Sequence, residues 1–401
     1  MNPVRAGHDP DPGQSQRHPI PGGRRAPCGL QPPCEMAPPR RRYAGARAAA
    51  RAAIPHSQHT KDMPMPDAAP SLSGTTSETL DRLLARHPEH APLIAAFRAL
   101  SVAQAELAEM ADPVGAVPVP PVRVEPDLFA QGRALLPADE LPDGPALDDA
   151  FLAHALALLA PAIAAGLPAV ANDVRELARL MQLAPTKEGT SDGKQDTPQD
   201  ASQPPLPRQL AAWALTGRIA AAQEWARSAG LSPDAVGFVA MQLATAAARR
   251  VQRAVAPSLA PHAEGWTHGH CPVCGTAPKL GVLRGEGGQR WLVCALCDHT
   301  WRHQRTACPF CGVDKPDNIT LRYVQGFEDE RAEACASCRR YILAADLRHR
   351  SSDVPSVLPL GMAHLDMLLQ EKGFLPGGVD DTTRPARTGG SGKEPGAKTS
   401  A

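Results

Sequence analysis

The residues best placed to do chemistry are eight cysteines in four C-x-x-C pairs: Cys271/Cys274, Cys294/Cys297, Cys308/Cys311 and Cys335/Cys338. Two thiolates with two residues between them can be aimed at one ion by a single tight turn, and a second such turn completes a tetrahedron of sulfur. Cys271-Pro-Val-Cys274-Gly275 and Cys308-Pro-Phe-Cys311-Gly312 share further detail. Proline fixes the first turn residue, and glycine permits the backbone conformation that follows the second sulfur. All eight cysteines are therefore candidate metal ligands, in two sites of four thiolates.

Loop length and order favour pairing the first knuckle with the second and the third with the fourth. Each site then has one C-P-x-C-G knuckle and one plain knuckle, Cys294-Ala-Leu-Cys297 or Cys335-Ala-Ser-Cys338. A cross-braced arrangement, first with third and second with fourth, is the runner-up, because the entropy of closing longer loops grows slowly. Four thiolates suit zinc and iron alike, and spacing does not separate the two. A structural zinc site contributes about 10 to 16 kcal/mol of apparent binding free energy, comparable with the roughly 5 to 15 kcal/mol that holds a typical domain together. Few large apolar side chains lie between Gly269 and Arg350, so this segment is expected to unfold without its metals.

His262, His268 and His270 lie near the first knuckle, and His299 and His303 flank Trp301. Eight cysteines already suffice for two ions, so all five histidines read as solvated loop residues. No nucleophile with a visible base, phosphate-binding glycine loop or H-E-x-x-H helix is present, and no catalytic residue is assigned. The chain reads as a protein that is not an enzyme.

Periodicity supplies the scaffold. Leu80, Leu83 and Leu84, then Leu93, Phe97, Leu100, Gln104 and Leu107, recur at helical spacing. Further helices are expected from Phe151 to about Leu159, from Val174 to Met181 and from Leu210 to about Trp225. Ser232-Pro233-Asp234 marks another helix start, with a side-chain acceptor at the N-cap, proline at the first helical position and a carboxylate near the positive end of the dipole. After Trp266 the texture turns β-prone, with Leu280 to Leu283 and Trp291 to Val293 joined through Gly285, Gly287 and Gly288. Leu358 to Leu369 reads as a closing helix.

The fold class expected is α+β. A Pro/Arg-rich tail (1–75) precedes an all-helical domain (76–262) with a flexible insert at 186–206. A first four-cysteine ribbon (263–303), a second (304–350), a C-terminal helix (351–375) and a disordered tail (376–401) follow. The first tail reads as solvated, or as sequence upstream of a later start at Met63 or Met65, and Cys28 and Cys34 within it lack knuckle spacing. Lys plus Arg and Asp plus Glu each number 42, so the chain as a whole has no field that would gather nucleic acid or an anionic membrane. Between Glu264 and Lys372 the count is 13 basic and 13 acidic side chains, where phosphate binding wants a basic excess. No apolar run approaching roughly 18 residues is found, and the N-terminus lacks the apolar core of a secretory signal. The expectation is a soluble, cytoplasmic protein with no nucleic-acid partner and no membrane insertion.

The order of these motifs resembles the formate dehydrogenase accessory proteins of the FdhE type. The likeness rests on Cys271-Pro-Val-Cys274-Gly, Arg290-Trp-Leu-Val-Cys294-Ala-Leu-Cys297, Trp301, Arg305, Cys308-x-x-Cys311 and Tyr323, then Ala332-Glu333-Ala-Cys335-Ala-Ser-Cys338 leading into Tyr341-Ile-Leu. It covers roughly residues 75 to 375, strongly in the cysteine region and only as a helical pattern before it. The resemblance implies a helical domain followed by two rubredoxin-like modules, each binding an iron ion, with zinc as the alternative metal. It also implies a cytoplasmic assembly factor that meets the catalytic subunit of a respiratory formate dehydrogenase before export. A rubredoxin-like electron carrier is the alternative, and a nucleic-acid-binding zinc ribbon a weaker one. Relatives tend to carry an acidic pair before the last helix, where this chain has Leu358-Pro-Leu-Gly361-Met.

Overall fold

The computed structural model describes residues 72–144, 146–182 and 206–378. The expected N-terminal tail up to residue 71, the insert up to residue 205, the final tail from residue 379, and Cys28 and Cys34 lie outside the described residues. Helices α1 (Leu72–Arg86), α2 (Ala91–Glu109), α3 (Pro126–Ala130), α4 (Asp149–Gly166), α5 (Ala171–Gln182), α6 (Leu206–Leu215), α7 (Ile219–Ser228) and α8 (Pro233–Leu259) come first. Strands β1 (Pro278–Arg284), β2 (Gln289–Cys294), β3 (Thr300–Arg302), β4 (Ile319–Tyr323), β5 (Glu330–Cys335) and β6 (Arg340–Asp346) follow, then α9 (Ala363–Glu371) and the short β7 (Leu375–Pro376).

Helix α8 is the axis of the helical region, and at 1.5 Å per residue it runs about 40 Å. Its start is the one read from the sequence, with the Ser232 hydroxyl accepting from the Ala235 N–H at 3.4 Å. Val236, Val239, Ala240, Leu243, Ala247, Val251 and Val255 are buried along it at helical spacing. The stretch expected to run as one helix from Leu210 to Trp225 is two, α6 and α7. Gly217 ends the first by taking a φ of 71°, a left-handed conformation that glycine adopts without penalty. A second correction concerns apolar length: α2 with its preceding turn, and the 18-residue α4, are long and apolar enough to cross a membrane by length and composition. Here the apolar residues Phe151, Leu152, Leu156, Leu159 and Ile163 of α4 are buried in the protein core.

The strands form one sheet in the order β3-β2-β1-β6-β5-β4, with β7 beside the start of β6. Each four-cysteine ribbon is an antiparallel meander, β1-β2-β3 or β4-β5-β6. The two join through parallel pairing of β1 with β6, Leu280 opposite Leu343 and Val282 opposite Ala345. Alternation along the strands divides the side chains between two cores. Leu280, Val282, Val293, Ala332, Tyr341 and Leu343 pack with Leu80 and Leu83 of α1, Ile94 of α2, and Leu358, Leu365 and Leu369 near the C-terminus. Leu292, Trp301 and Ile342 join the helical core instead. Helix α1, read with the helical domain from its spacing, thus covers the sheet. Leu358 and Met362 are buried there at 1% and 0% exposure.

A buried ion pair also ties the ribbons together. Arg290 of β2 reaches Glu333 of β5 at 2.7 Å, and both side chains are almost fully buried. Breaking a buried pair strands the remaining charge at a cost of about 3 to 5 kcal/mol. Arg331 lies 3.2 Å from the same Glu333 carboxylate, so Arg290→Met is expected at the low end, about 3 kcal/mol. Urea unfolding followed by tryptophan fluorescence checks this.

Candidate metal centres

Three of the four knuckles are set by the same backbone device. The N–H of the first cysteine donates five residues ahead: Cys271 to the Thr276 carbonyl at 2.9 Å, Cys294 to His299 at 2.9 Å and Cys308 to Val313 at 3.0 Å. In three knuckles the residue after the second cysteine donates back to the first, Gly275 to Cys271, Gly312 to Cys308 and Arg339 to Cys335, at 2.9 to 3.0 Å. That returning residue needs a left-handed backbone. Gly275 and Gly312 supply it at φ 76° and 71°, as the C-P-x-C-G pattern implied.

The plain knuckles place Asp298 (φ 57°) and Arg339 (φ 59°) at the equivalent position, and these are the non-glycine residues with positive φ among the described residues. Side chains there cost about 1 to 2 kcal/mol, and each is anchored in compensation. Asp298 bonds Lys279 Nζ at 2.6 Å and also pairs with Arg249 of α8. Burial works against its charge, yet the two cations hold its carboxyl below the usual range. Arg339 lies 4.0 Å above the Phe374 ring and donates to the Lys372 carbonyl at 2.9 Å. Sequence reasoning passed over both residues; aligning the four knuckles on their second cysteine would have exposed them.

The sulfurs converge in two groups, Cys271, Cys274, Cys294 and Cys297, and Cys308, Cys311, Cys335 and Cys338. The arrangement is tandem and not cross-braced. In the first group, Sγ atoms lie 3.6 Å apart for Cys271–Cys297 and Cys274–Cys297 and 3.4 Å for Cys274–Cys294. In the second, Cys308–Cys338 and Cys311–Cys335 are each 3.7 Å apart. A tetrahedron with metal–sulfur bonds near 2.3 Å has edges of about 3.8 Å, whereas a disulfide would bring sulfurs to about 2.05 Å. Donor type and spacing therefore fit one four-coordinate ion in each group, and the chain has two four-cysteine metal-binding sites.

The two sites differ in setting. All four cysteines of the first are at most 2% exposed and belong to the helical core. Its leading knuckle is clamped from outside: the N–H groups of Leu135, Leu136 and Ala138 donate to the carbonyls of Pro272, Val273 and Cys274 at 2.9, 2.9 and 3.0 Å. The second site lies toward the surface, with Cys311 exposed and Cys338 half-buried. Asn318 caps it, donating from Nδ2 to Cys335 Sγ at 3.0 Å while its Oδ1 accepts from the Ser337 N–H at 3.1 Å. The two sites meet at Gly269, where a Cβ would fall 1.9 Å from the Pro309 carbonyl oxygen of the third knuckle.

Without a cation, four adjacent thiols cannot all ionise. Burial pushes Cys271 and Cys297 well up, while hydrogen bonds with Cys271, Cys294 and Cys297 hold Cys274 well down. Burial likewise raises Cys308, and carries Cys338 to about 11. At Cys335 burial is outweighed by hydrogen bonds from the Cys338 backbone, the Cys338 and Cys308 side chains and Asn318, which bring it to about 7.

The five histidines stand apart from both sulfur groups. His268 and His270 bond the carbonyls of Ala130 and Gly132 at 3.1 and 2.8 Å, and His262 lies edge-on to Phe129. The solvated reading fails for His303, which is only 8% exposed. Burial, with Arg290 nearby, pushes it down to about 4, and burial does the same for His299.

Comparison with known proteins bears on the same region. Residues 270–305 match the family model of the FdhE central domain. A protein FdhE homolog from Aquifex aeolicus is 30% identical over 115 residues, 28% of this chain and 41% of that protein. Another from Stutzerimonas stutzeri is 34% identical over 113 residues, 26% and 35% of the respective chains. The matched stretch thus spans less than half the length of these relatives. The crystal structure of the FdhE protein from Pseudomonas aeruginosa shares the fold, with a TM-score of 0.51 over 76% of this chain and 93% of that one at 22% identity.

Proposed function

We propose that this chain, which is similar to FdhE proteins in its cysteine region and its fold, is a non-enzymatic assembly factor for a respiratory formate dehydrogenase. It works in the cytoplasm and binds the catalytic subunit of that enzyme before export. Cys271, Cys274, Cys294 and Cys297 hold one iron ion, and Cys308, Cys311, Cys335 and Cys338 hold the other. The observation that carries this reading is the pair of four-sulfur groups at tetrahedral spacing in a chain whose cysteine region matches the FdhE central domain.

The first site makes a rigid joint between the helices and the sheet, and the second leaves Cys311 exposed where a partner can reach it. Co-purification from cells expressing the formate dehydrogenase catalytic subunit tests the proposal. The tagged full-length chain is expected to enrich that subunit several-fold over an unrelated exported enzyme, and equal recovery of both would count decisively against it.

The exposure of Cys311 also supports a second reading, a rubredoxin-like electron carrier. Four-thiolate iron supplies one-electron exchange with little change in geometry, and solvent exposure and N–H···S bonds tune its potential. Aerobically purified protein is then coloured and bleaches on reduction. A colourless, zinc-loaded protein that still supports formate dehydrogenase assembly would exclude the electron-transfer role while leaving the assembly role intact.

A further inference from the structure

Apart from the cysteines, the turn between α1 and α2 carries His87, Glu89 and His90 against His364 in the first turn of α9. One donor atom from each of the four lies within 4.8 Å of every other. We propose that these side chains form a third metal site, for a divalent ion of the zinc class, built from three imidazole nitrogens and one carboxylate oxygen. The proposal is independent of the formate dehydrogenase reading and of what fills the cysteine sites.

Hydrogen bonding of His87 is the first support. Its Nε2 lies 2.6 Å from Glu330 Oε2, and both side chains are buried, at 1% and 2% exposure. Glu330 also accepts from Arg350 at 2.9 Å and lies 3.3 Å from Arg86, so its oxygens face donors on every side and His87 Nε2–H is the donor that points at it. In a neutral imidazole the other nitrogen is then a lone pair. That nitrogen, Nδ1, faces Glu89 Oε1 at 3.3 Å. Acceptor opposes acceptor, and a cation between them resolves the conflict.

Geometry is the second support. His90 Nε2 lies 3.0 Å from His364 Nδ1 and 3.8 Å from Glu89 Oε1. Tetrahedral donors about 2.0 to 2.1 Å from zinc sit roughly 3.4 Å from one another, inside that range. A buried carboxylate on the far nitrogen of a histidine, as Glu330 is on His87, fixes the tautomer and aim of metal-binding imidazoles. Imidazole with carboxylate suits zinc and its neighbours in the first transition row and not the soft ions that prefer sulfur. A bound ion would staple the α1–α2 turn to α9, elements that cover the same face of the sheet from opposite ends of the described chain. A proton shared with Glu89 is the competing occupant, and metal titration separates the two.

The test uses the full-length chain with its cysteine sites filled, titrated with zinc and, in parallel, with cobalt(II). One further equivalent is expected, and the cobalt form should show visible d–d absorption without a new sulfur-to-cobalt charge-transfer band. Glu89→Gln, at a side chain 59% exposed, should weaken the additional binding roughly ten-fold or more. His364→Ala should abolish it, with metal at the cysteine sites unchanged in both variants. The proposal is overturned if the wild-type chain takes up no additional equivalent, if both variants bind it undiminished, or if the cobalt spectrum is that of sulfur ligands alone.

Discussion

Cys294→Ser is expected to disrupt the joint between the helical region and the sheet, with a much larger effect than Cys338→Ser. Cys294 ends β2 and is 0% exposed. Its sulfur accepts from the Leu296 and Cys297 N–H groups at 3.4 Å, and its site belongs to the same core as α4 and α8. Loss of the ion would leave buried thiols around an empty centre and release the clamp of Leu135, Leu136 and Ala138 on the first knuckle. Even a few kcal/mol out of the roughly 10 to 16 that a structural site supplies lowers Tm by about 5 °C, at roughly 1 to 2 °C per kcal/mol for a chain of this length. Cys338 is half-buried in the turn between β5 and β6, and the edge strand β4, which pairs with β5, leaves Leu321 and Tyr323 exposed. The Cys338→Ser variant should lose one metal equivalent and hydrogen-exchange protection in β4 and β5 while the helices stay protected. Metal content, thermal melting and exchange on both variants check the asymmetry. Equal melting temperatures, or full metal content in Cys294→Ser, would refute it.

The cysteines were legible because the chemistry is local: two residues between sulfurs define a turn, and the order of four turns defines two sites. The long helices were legible from apolar period, α8 down to its Ser232 cap. Strands β5 and β6 were not, because Ala332, Ala334, Ala344 and Ala345 fill them and alanine favours helix until packing overrides it. The same shortage of large side chains made the cysteine segment look core-poor. Leu280, Val282 and Leu343 in fact pack under α1 and α9, elements distant in sequence. Such pairings leave no mark in a window of residues. His87 and His364 illustrate this: each reads as an ordinary polar residue until the fold closes. The strain at Asp298 and Arg339 is hidden for another reason, since neither residue type announces a left-handed backbone.

The two sites are expected to lose metal to a chelator in a fixed order. A chelator replaces protein ligands one at a time, so it needs a sulfur it can reach. The second site offers Cys311, exposed, next to Cys338, half-buried, and can be attacked in the folded protein. At the first site no sulfur is more than 2% exposed, and attack must wait for the first knuckle to swing away from Leu135, Leu136 and Ala138. Local opening of that kind costs free energy in proportion to the packing and hydrogen bonds given up. Three backbone bonds at about 1 kcal/mol each already suppress the open state by a factor on the order of 100, before the lost apolar contact is counted. Full-length protein mixed with excess chelator should therefore release metal in two phases, one equivalent rapidly with the helical circular dichroism unchanged, the other at least roughly 100-fold more slowly. The slow phase should accelerate with mild denaturant, and the fast one should not. Ala138→Pro removes one clamping N–H and should speed the slow phase alone, whereas release of both equivalents in a single phase would mean that burial of the first site does not control its exchange.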